Sequence, residues 1–488
     1  MPRAYNQIIV YALLCIFLAL FIASIPNRQI HGDDAWLGEQ AYWMSKIGYV
    51  RSDLFRGLLD YDQRQMIYHK IFIVAGAAVI KVFGWSLHSL KAVSLFFYCI
   101  FVFTSYLYFR NNPSLFERRD FYLFSLMMIS APLIFRFTYV YRPEVMLMSL
   151  GFLSFYFLTG NLSCEPPGRP RESLLRALAA GIFAGAGLLA HLNGWIFVAA
   201  GLVVLLTNRM ARAAAVFAVA ACAVSALYFY DLTSIQDLRL FRHQMTNDLP
   251  IGEMSVWGRL LNIAYEHKRF FYSVREIFPS ALLMLSLVFS WRTLVARYRN
   301  VLVYLCVLVV GLAVLSRPRP SYYIILYMPY IALVITVGAR HLGSLAAVKR
   351  AALVSILAAH FAFSMYYAVT VIRTAADLPR FNESIAANVP KGETVVAPAG
   401  FIFNQMANYR IQSLTFYDRY ADRRGTKLTL VEFFDLARSY GNTYVIVDRE
   451  FGRKVGLTAP DNGLKVGSYG MVKNVEGTLI FRLSEETS

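Results

Sequence analysis

The chain has 488 residues, of which 57% are hydrophobic and 16% charged, and its mean hydropathy is +0.47. A soluble domain is rarely more than about half apolar, and the apolar residues here gather in runs of about 14–22 residues, near the length that spans a bilayer, which excludes a soluble globular protein. The formal net charge of +18 comes from Lys and Arg spread over short loops between the apolar runs, as the positive-inside rule expects, so it does not indicate a nucleic-acid partner.

The first apolar run, residues 8–26, predicts a membrane-spanning helix. It follows a single Arg and lacks a small-residue cleavage site, so we expect a retained helix rather than a signal peptide. A polar loop, residues 27–70, comes next and is the predicted first external loop. Within it, apolar residues recur at roughly helical spacing and predict an interfacial helix that ends at Gly48. They are Trp36, Leu37, Trp43, Met44 and Ile47.

Further apolar runs alternate with basic loops. They cover about residues 71–84, 88–109, 121–138, 144–160, 174–190, 195–207, 213–230, 279–292, 301–316, 321–340 and 351–371. The basic loops share the cytoplasmic side only if the run 71–84, which is short and contains Lys81, does not cross. We therefore interpret 71–84 as interfacial or re-entrant. The prediction is a polytopic α-helical membrane protein with about 11–13 transmembrane helices, about eleven of them full crossings, with the N-terminus inside and the C-terminus outside.

The membrane pattern ends near Arg373. The tail mixes short β-like runs with a helical stretch near 430–440, and it is long enough to bury a core of its own. The β-like runs are 394–396, 444–447 and 479–481. We expect a transmembrane catalytic domain over 1–372 and a small extracytoplasmic α/β domain over 373–488.

Two adjacent carboxylates, Asp33 and Asp34, come directly after the first span. A carboxylate at the depth of a lipid headgroup can activate the nucleophile that takes a sugar from a lipid phosphate. The alternative is that one of the two caps the interfacial helix. Because one cap needs one Asp, we assign catalysis to at least one of the pair.

A family resemblance supports this interpretation. Asp33-Asp34-Ala35-Trp36 after the first span, Gly48, and Tyr68-His69-Lys70 at the next apolar run together resemble the GT-C glycosyltransferases of the protein O-mannosyltransferase and aminoarabinose-transferase type. In those families an acidic pair opens the first external loop, and its first member is the proposed catalytic base. The resemblance gives that role to Asp33, with Asp34 in place of the usual Glu, and it places His69 and Lys70 near the donor, without the family's prolines.

Softer matches extend the resemblance to the donor phosphate. Arg142-Pro143-Glu144 resembles an element at an external helix start, and the alternative is simply a helix with Pro in its first turn. His191 falls where relatives often carry a Lys near the lipid phosphate, and the alternative is a histidine with satisfied hydrogen bonds. Two guanidiniums and two phenols before a Tyr-rich span suit a phosphate headgroup, or alternatively anchor the chain at the interface. They are Arg317, Arg319, Tyr322 and Tyr323.

A divalent metal is an expectation that rests on the resemblance alone. Some relatives bind a metal through a histidine of the long external loop, here residues 231–278, and His69 with His267 is the pair available. Nothing local has metal-ligand spacing. The cysteines contain no CxxC pair and indicate neither a disulfide framework nor a Cys-ligated metal. They are Cys15, Cys99, Cys164, Cys222 and Cys306.

The predicted function is an inverting transfer of a hexose or pentose from a polyprenyl-phosphate donor to an extracytoplasmic acceptor in a bacterial inner membrane. The acceptor is lipid A, lipopolysaccharide, a cell-wall glycan or a protein. One alternative is an O-antigen ligase or polymerase, which centres on arginines and a histidine in a late external loop. Another is a polyprenyl-lipid transporter or flippase, which tends to have two similar halves. The early acidic loop and the lack of internal duplication favour the transferase.

Overall fold

The computed structural model describes residues 7–26, 28–162, 170–248, 255–316, 321–342, 345–457 and 463–484. Helices account for the regular structure up to Arg373, and a six-stranded sheet with flanking helices follows. The predicted fold class, a polytopic helical membrane protein with a small C-terminal α/β domain, is confirmed.

The helical bundle is built from elements that largely coincide with the predicted apolar runs. Its helices are α1 (Gln7–Ser24), α2 (Gly32–Ile47), α3 (Lys70–Phe83), α4 (Leu87–Asn111), α5 (Arg118–Ser130), α6 (Pro132–Phe137), α7 (Pro143–Leu162), α8 (Pro170–Ala190), α9 (Trp195–Thr207), α10 (Ala211–Ala226), α11 (Ile235–Asp248), α12 (Val256–Tyr265), α13 (His267–Phe270), α14 (Val274–Arg297), α15 (Arg299–Leu315), α16 (Met328–Arg340) and α17 (Ala347–Arg373). Short 3-10 turns lie at Leu192–Gly194, Leu227–Phe229 and Ser321–Leu326.

Several of these helices are long and apolar enough to cross a bilayer. Within the described residues, six segments meet both conditions: Gln7–Ser24, Leu87–Asn111, Ser173–Ala190, Ala211–Phe229, Val274–Arg297 and Ala347–Ala386. Shorter apolar helices cover Pro143–Thr159, Leu192–Thr207, Arg299–Leu315 and Met328–Arg340. The chain is therefore a multi-pass membrane protein, and the larger number of crossings stays a prediction.

The apolar run 121–138 forms two helices instead of one. α5 ends at Ser130, Ala131 is extended with ψ of 119°, and Pro132 opens α6. Proline lacks the N–H that would continue the helical hydrogen bonds, and its fixed φ suits the first position of a new helix. A break of this kind cannot be read from hydropathy, because both halves are apolar.

Helices α2 and α3 lie next to the first span. α2 forms as predicted and ends at Gly48, whose φ of +79° is left-handed and whose N–H bonds to the Met44 carbonyl; glycine reaches that conformation without strain. α3 has 14 residues, about 21 Å at the helical rise, which is shorter than the roughly 30 Å hydrocarbon core. It packs against α2, and the interfacial or re-entrant assignment of residues 71–84 stays a prediction.

The C-terminal sheet follows α17. Its strands are β1 (Thr394–Ala397), β2 (Arg410–Ser413), β3 (Tyr444–Val447), β4 (Lys465–Val466), β5 (Tyr469–Val475) and β6 (Thr478–Leu483), in the order β2-β1-β3-β6-β5-β4. β2, β1 and β3 are parallel, and β6, β5 and β4 add antiparallel strands. The helices of this domain are α18 (Leu378–Ala386), α19 (Ile402–Gln405), α20 (Leu414–Arg424), α21 (Leu430–Ser439) and α22 (Arg449–Lys454). The three predicted β-like runs fall on β1, β3 and β6, and the predicted helical stretch is α21.

The hydrophobic core of the C-terminal domain continues into the first external loop, and the division into domains over 1–372 and 373–488 stays a prediction. One cluster of buried apolar side chains fills the bundle. A second runs from the sheet through the first external loop into α2 and α3. Val50, Leu54 and Phe55 of that loop are at most 2% exposed and share this cluster with Val445 of β3. The loop and the domain therefore bury their apolar surface together.

Candidate active site

The N-terminus of α2 holds the two adjacent carboxylates in different environments. Asp34 is fully buried, and its carboxylate accepts hydrogen bonds from the backbone N–H of Tyr141 at 2.5 Å and of His31 at 2.7 Å. The Lys91 ammonium lies 3.9 Å away. Burial raises the pKa of Asp34, and Lys91 opposes that change. Asp34 thus ties the start of α2 to the segment that leads into α7.

The helix cap is shared between His31 and Asp34. The His31 imidazole accepts from the backbone N–H of Asp33 at 3.2 Å, while Asp34 accepts from the backbone N–H of His31, which completes a capping box. The alternative that one Asp of the pair caps the helix therefore applies to Asp34, which is the third residue after the N-cap His31 and takes part in the capping box. Asp33 is left with no part in the cap through its side chain.

Asp33 presents its carboxylate beside a buried ion pair. Its side chain is 36% exposed and contacts the Arg142 guanidinium. Arg142 is 8% exposed and also donates to the fully buried Glu144, with Nη2 2.6 Å from Oε1 and Nε 3.1 Å from Oε2. Arg142 therefore bridges a buried carboxylate and an accessible one. Pro143 opens α7 between the two partners, so the helix-start alternative holds as well.

Aromatic and imidazole rings form the wall beside Arg142. The Arg142 guanidinium lies 4.3 Å from the ring centroid of Tyr322, within range of a cation–π contact. The Tyr323 hydroxyl is 3.1 Å from His191 Nε2, and the His191 ring stacks on His69 at 4.7 Å. Burial lowers the pKa of both histidines to about 3, so the two imidazoles are neutral and act as hydrogen-bonding groups, not as cations.

Lys70 lies apart from this group, although it follows His69 directly. Its ammonium is 2.7 Å from a carboxylate oxygen of Asp231 and 2.9 Å from the Met66 carbonyl, and it sits over the Tyr68 ring at 3.8 Å. Burial lowers its pKa to about 8, against the effect of Asp231. The contacts of Lys70 fix the start of α3 to the loop before α11.

Three predicted residues remain. Arg317 and Arg319 lie outside the described residues, and the structure does not bring His267 to the cluster. His267 is exposed, with Nδ1 2.8 Å from the Ala264 carbonyl, whereas His69 stacks on His191. No group of three or more His, Cys, Asp or Glu side chains suited to a metal occurs in the part of the chain that the structure describes. A metal held by His69 and His267 stays a prediction.

Sequence reasoning gave no role to a second buried ion pair near the site. Arg269 of α13 is fully buried, with Nε 2.6 Å from Glu266 Oε1, and that oxygen also accepts from the Tyr327 hydroxyl at 3.0 Å. The guanidinium lies 5.7 Å from the Tyr323 ring centroid. The only hint in the sequence is a Glu and an Arg three residues apart in the long loop. Arg269 brings a second guanidinium to the aromatic wall.

Comparisons with known proteins give structural neighbours only. No family model and no curated protein matches the sequence. ArnT from Cupriavidus metallidurans in the apo state is 14% identical with a TM-score of 0.62, over 98% of this chain and 99% of that one. The same protein bound to undecaprenyl phosphate is 12% identical with a TM-score of 0.60, over 99% of both chains. The Archaeoglobus fulgidus oligosaccharyltransferase in complex with Zn and sulfate is 12% identical with a TM-score of 0.57, over 97% of this chain and 73% of that one. At these identities the likeness establishes the fold.

Proposed function

Because the chain has the GT-C fold of these membrane transferases, we propose that it transfers a sugar from a polyprenyl-phosphate donor to an acceptor outside the cytoplasm. The observation that carries the proposal is the arrangement of Asp33, Arg142 and Glu144 beside the first span. One accessible carboxylate meets a buried guanidinium whose second partner is a buried carboxylate. A buried ion pair of this kind is costly to maintain and is typical of functional sites in membrane proteins.

In the proposed reaction Asp33 is the general base. Its carboxylate removes the proton of an acceptor hydroxyl as the oxygen attacks the anomeric carbon of the donor sugar. The bond between that carbon and the phosphate oxygen breaks, and its electron pair leaves with the lipid phosphate. The configuration at the anomeric carbon is inverted, and the proton ends on Asp33. No second acid is required, because a phosphate is a competent leaving group.

The other side chains hold the reactants. Arg142, fixed by Glu144, orients the Asp33 carboxylate, since guanidinium and carboxylate pair in a defined geometry. Arg142 and Arg269 both lie against the aromatic wall of Tyr322 and Tyr323, where positive charge would stabilise the departing phosphate. Arg317 and Arg319, which precede that wall in sequence, are proposed as further phosphate ligands.

The donor is proposed as a polyprenyl phosphate because the site lies at the end of the first span, where a lipid headgroup sits. One structural neighbour is bound to undecaprenyl phosphate, and the Archaeoglobus enzyme has been described with a dolichol-phosphate and an inhibitory peptide. The proposed acceptors are lipid A, lipopolysaccharide, a cell-wall glycan or a protein, and the sugar is a hexose or a pentose.

Radiolabelled transfer in detergent tests the proposal. The purified protein is given hexose- and pentose-linked undecaprenyl phosphates with each acceptor class in turn, and we expect label on one acceptor. Undecaprenyl phosphate alone should raise the melting temperature, since a ligand that binds only the folded state stabilises it. Label on no acceptor, together with an unchanged melting temperature, would contradict the function. Donor movement across vesicles without transfer would favour the flippase alternative.

The proposed function places the protein in a bacterial inner membrane, with the active site and the C-terminal domain on the side away from the cytoplasm. The support is the excess of Lys and Arg in the loops assigned to the other side. A periplasm-active reporter fused after Ser488 should be active, and a cytoplasm-active reporter at the same place should be silent. The opposite pattern would overturn both the topology and the external site.

A further inference from the structure

The middle of α2 is fixed by a buried carboxyl group that plays no part in the proposed chemistry. Glu39 is 1% exposed. One of its oxygens accepts from the backbone N–H of Asp53 at 2.7 Å and of Leu54 at 3.2 Å, and the other accepts from the Ser52 hydroxyl at 2.5 Å. A single side chain of α2 thus holds three successive residues of the first external loop.

The same loop segment is bound on its other side by the C-terminal domain. The Leu54 carbonyl accepts from the backbone N–H of Ser413 at 2.9 Å, and the Arg56 carbonyl accepts from the Gln412 amide at 2.8 Å. The Arg56 guanidinium donates to the Asn442 side chain at 2.9 Å. Gln412 and Asn442 are fully buried and bond to each other at 2.8 Å. The loop therefore binds to a buried polar network formed by Gln412 of β2 and Asn442, which precedes β3.

Close packing at Gly57 also holds the loop against the C-terminal domain. Gly57 has a φ of +87°, and a Cβ added there would lie 2.4 Å from the Tyr440 ring. Both the left-handed backbone and the close ring require glycine at this position. The loop can therefore not slide on the domain without breaking the hydrogen bonds on both of its sides.

The other anchor of α2 is Asp34, which joins the helix to the bundle through Tyr141 and Lys91. Asp33 and Glu39 are six residues apart, about 9 Å along the axis at the helical rise. The helix that carries Asp33 is thus held by the bundle at its first turn and by the C-terminal domain at its centre. A shift at either anchor moves the Asp33 carboxylate relative to Arg142.

We propose that Glu39 is a positioning residue, which couples the C-terminal domain to the catalytic Asp33 through the loop 52–57. The proposal rests on the proposed function and assigns the domain a role in aligning the base. Burial raises the pKa of Glu39 to about 8, with Ser52 opposing the change. Glutamine is equally long: its amide oxygen can accept from the backbone N–H groups of Asp53 and Leu54, and its amide N–H can donate to the Ser52 hydroxyl. Glutamine should therefore retain the contact, and alanine should lose it.

The test compares variants of the full-length enzyme in detergent. Glu39→Ala should lower kcat on the order of 10- to 100-fold, the effect expected of a catalytic group displaced by about 1 Å. The KM for the polyprenyl donor should stay within about twofold, because donor contacts are intact. Glu39→Gln should restore kcat to within about threefold of the parent. Lys454→Ala, which removes an exposed ion pair with Asp418 in the same domain, is the matched control and should leave both constants unchanged.

Hydrogen exchange of residues 33–40 gives a second readout that needs no substrate. Glu39→Ala should speed exchange of these amides, and Glu39→Gln and Lys454→Ala should not, since local opening reports lost anchoring. If Glu39→Ala does not fold, Ser52→Ala removes one of the three bonds and should give the same pattern in a weaker form.

The outcomes separate this proposal from the function on which it rests. An inactive Asp33→Asn with a normal kcat for Glu39→Ala would overturn the positioning role and leave the transferase intact. A parent enzyme that transfers no sugar would overturn the function, and the exchange data would then decide on the anchor alone. Unchanged exchange in both Glu39→Ala and Ser52→Ala would overturn the anchor itself.

Discussion

Asp33→Asn is expected to lower kcat by about 10²- to 10⁴-fold, the usual contribution of a general base, while the protein stays folded and binds its donor. The amide cannot take the acceptor proton, yet it has nearly the same shape as the carboxylate. The Asp33 side chain is 36% exposed and serves neither the cap nor the core. Steady-state kinetics with the labelled donor, beside a melting curve in detergent, measure both effects.

Asp34→Asn is the matched control for this prediction. The Asp34 carboxylate accepts from two backbone N–H groups and lies near the Lys91 ammonium. An amide has one accepting oxygen, so one N–H and the ammonium lose a buried partner, at a cost of about 1–3 kcal/mol each. We expect a lower melting temperature with a smaller loss of kcat. Near-normal activity of Asp33→Asn would refute the assignment of the base.

Arg142→Met is expected to be the most destabilising single change at the site. It leaves Glu144 fully buried without its partner, and an uncompensated buried charge costs about 3–5 kcal/mol. The accessible Asp33 carboxylate also loses the group that orients it, so activity should fall together with the melting temperature. Thermal unfolding and transfer kinetics on the same preparation measure the two losses.

The double change Arg142→Met with Glu144→Met separates stability from activity. Replacing both members of a buried ion pair by well-packed apolar side chains of similar size is often neutral or stabilising. We therefore expect the melting temperature to recover and the activity to stay low, because Asp33 remains without its guanidinium. A double variant with normal kcat would remove Arg142 from the mechanism. A stable Arg142→Met single variant would contradict the buried pair.

The sequence by itself determined most of the apolar helices and three of the six strands of the tail. Runs such as 195–207 and 88–109 coincide with helices because spanning length and hydropathy are local properties. The end of α2 at Gly48 was readable for the same reason, since a left-handed cap favours glycine wherever it occurs. The run 444–447 is buried along its whole length in β3, which lies between β1 and β6 inside the sheet, as a short continuous apolar run predicts.

Only the tertiary structure distinguished the two carboxylates. Asp33 and Asp34 are adjacent and chemically alike, and what separates them is the backbone N–H of Tyr141 and the guanidinium of Arg142, which lie 107 and 109 residues further along the chain. Lys70 pairs with Asp231 and not with the residues of the site. Arg269, from the long loop, lies against the Tyr323 ring of the site. The core shared by the first loop and the sheet also joins segments far apart in sequence. Whether a carboxylate is buried as an anchor, like Asp34, or accessible as a base, like Asp33, depends on the distant backbone and charged groups that surround it. No local sequence pattern contains that information.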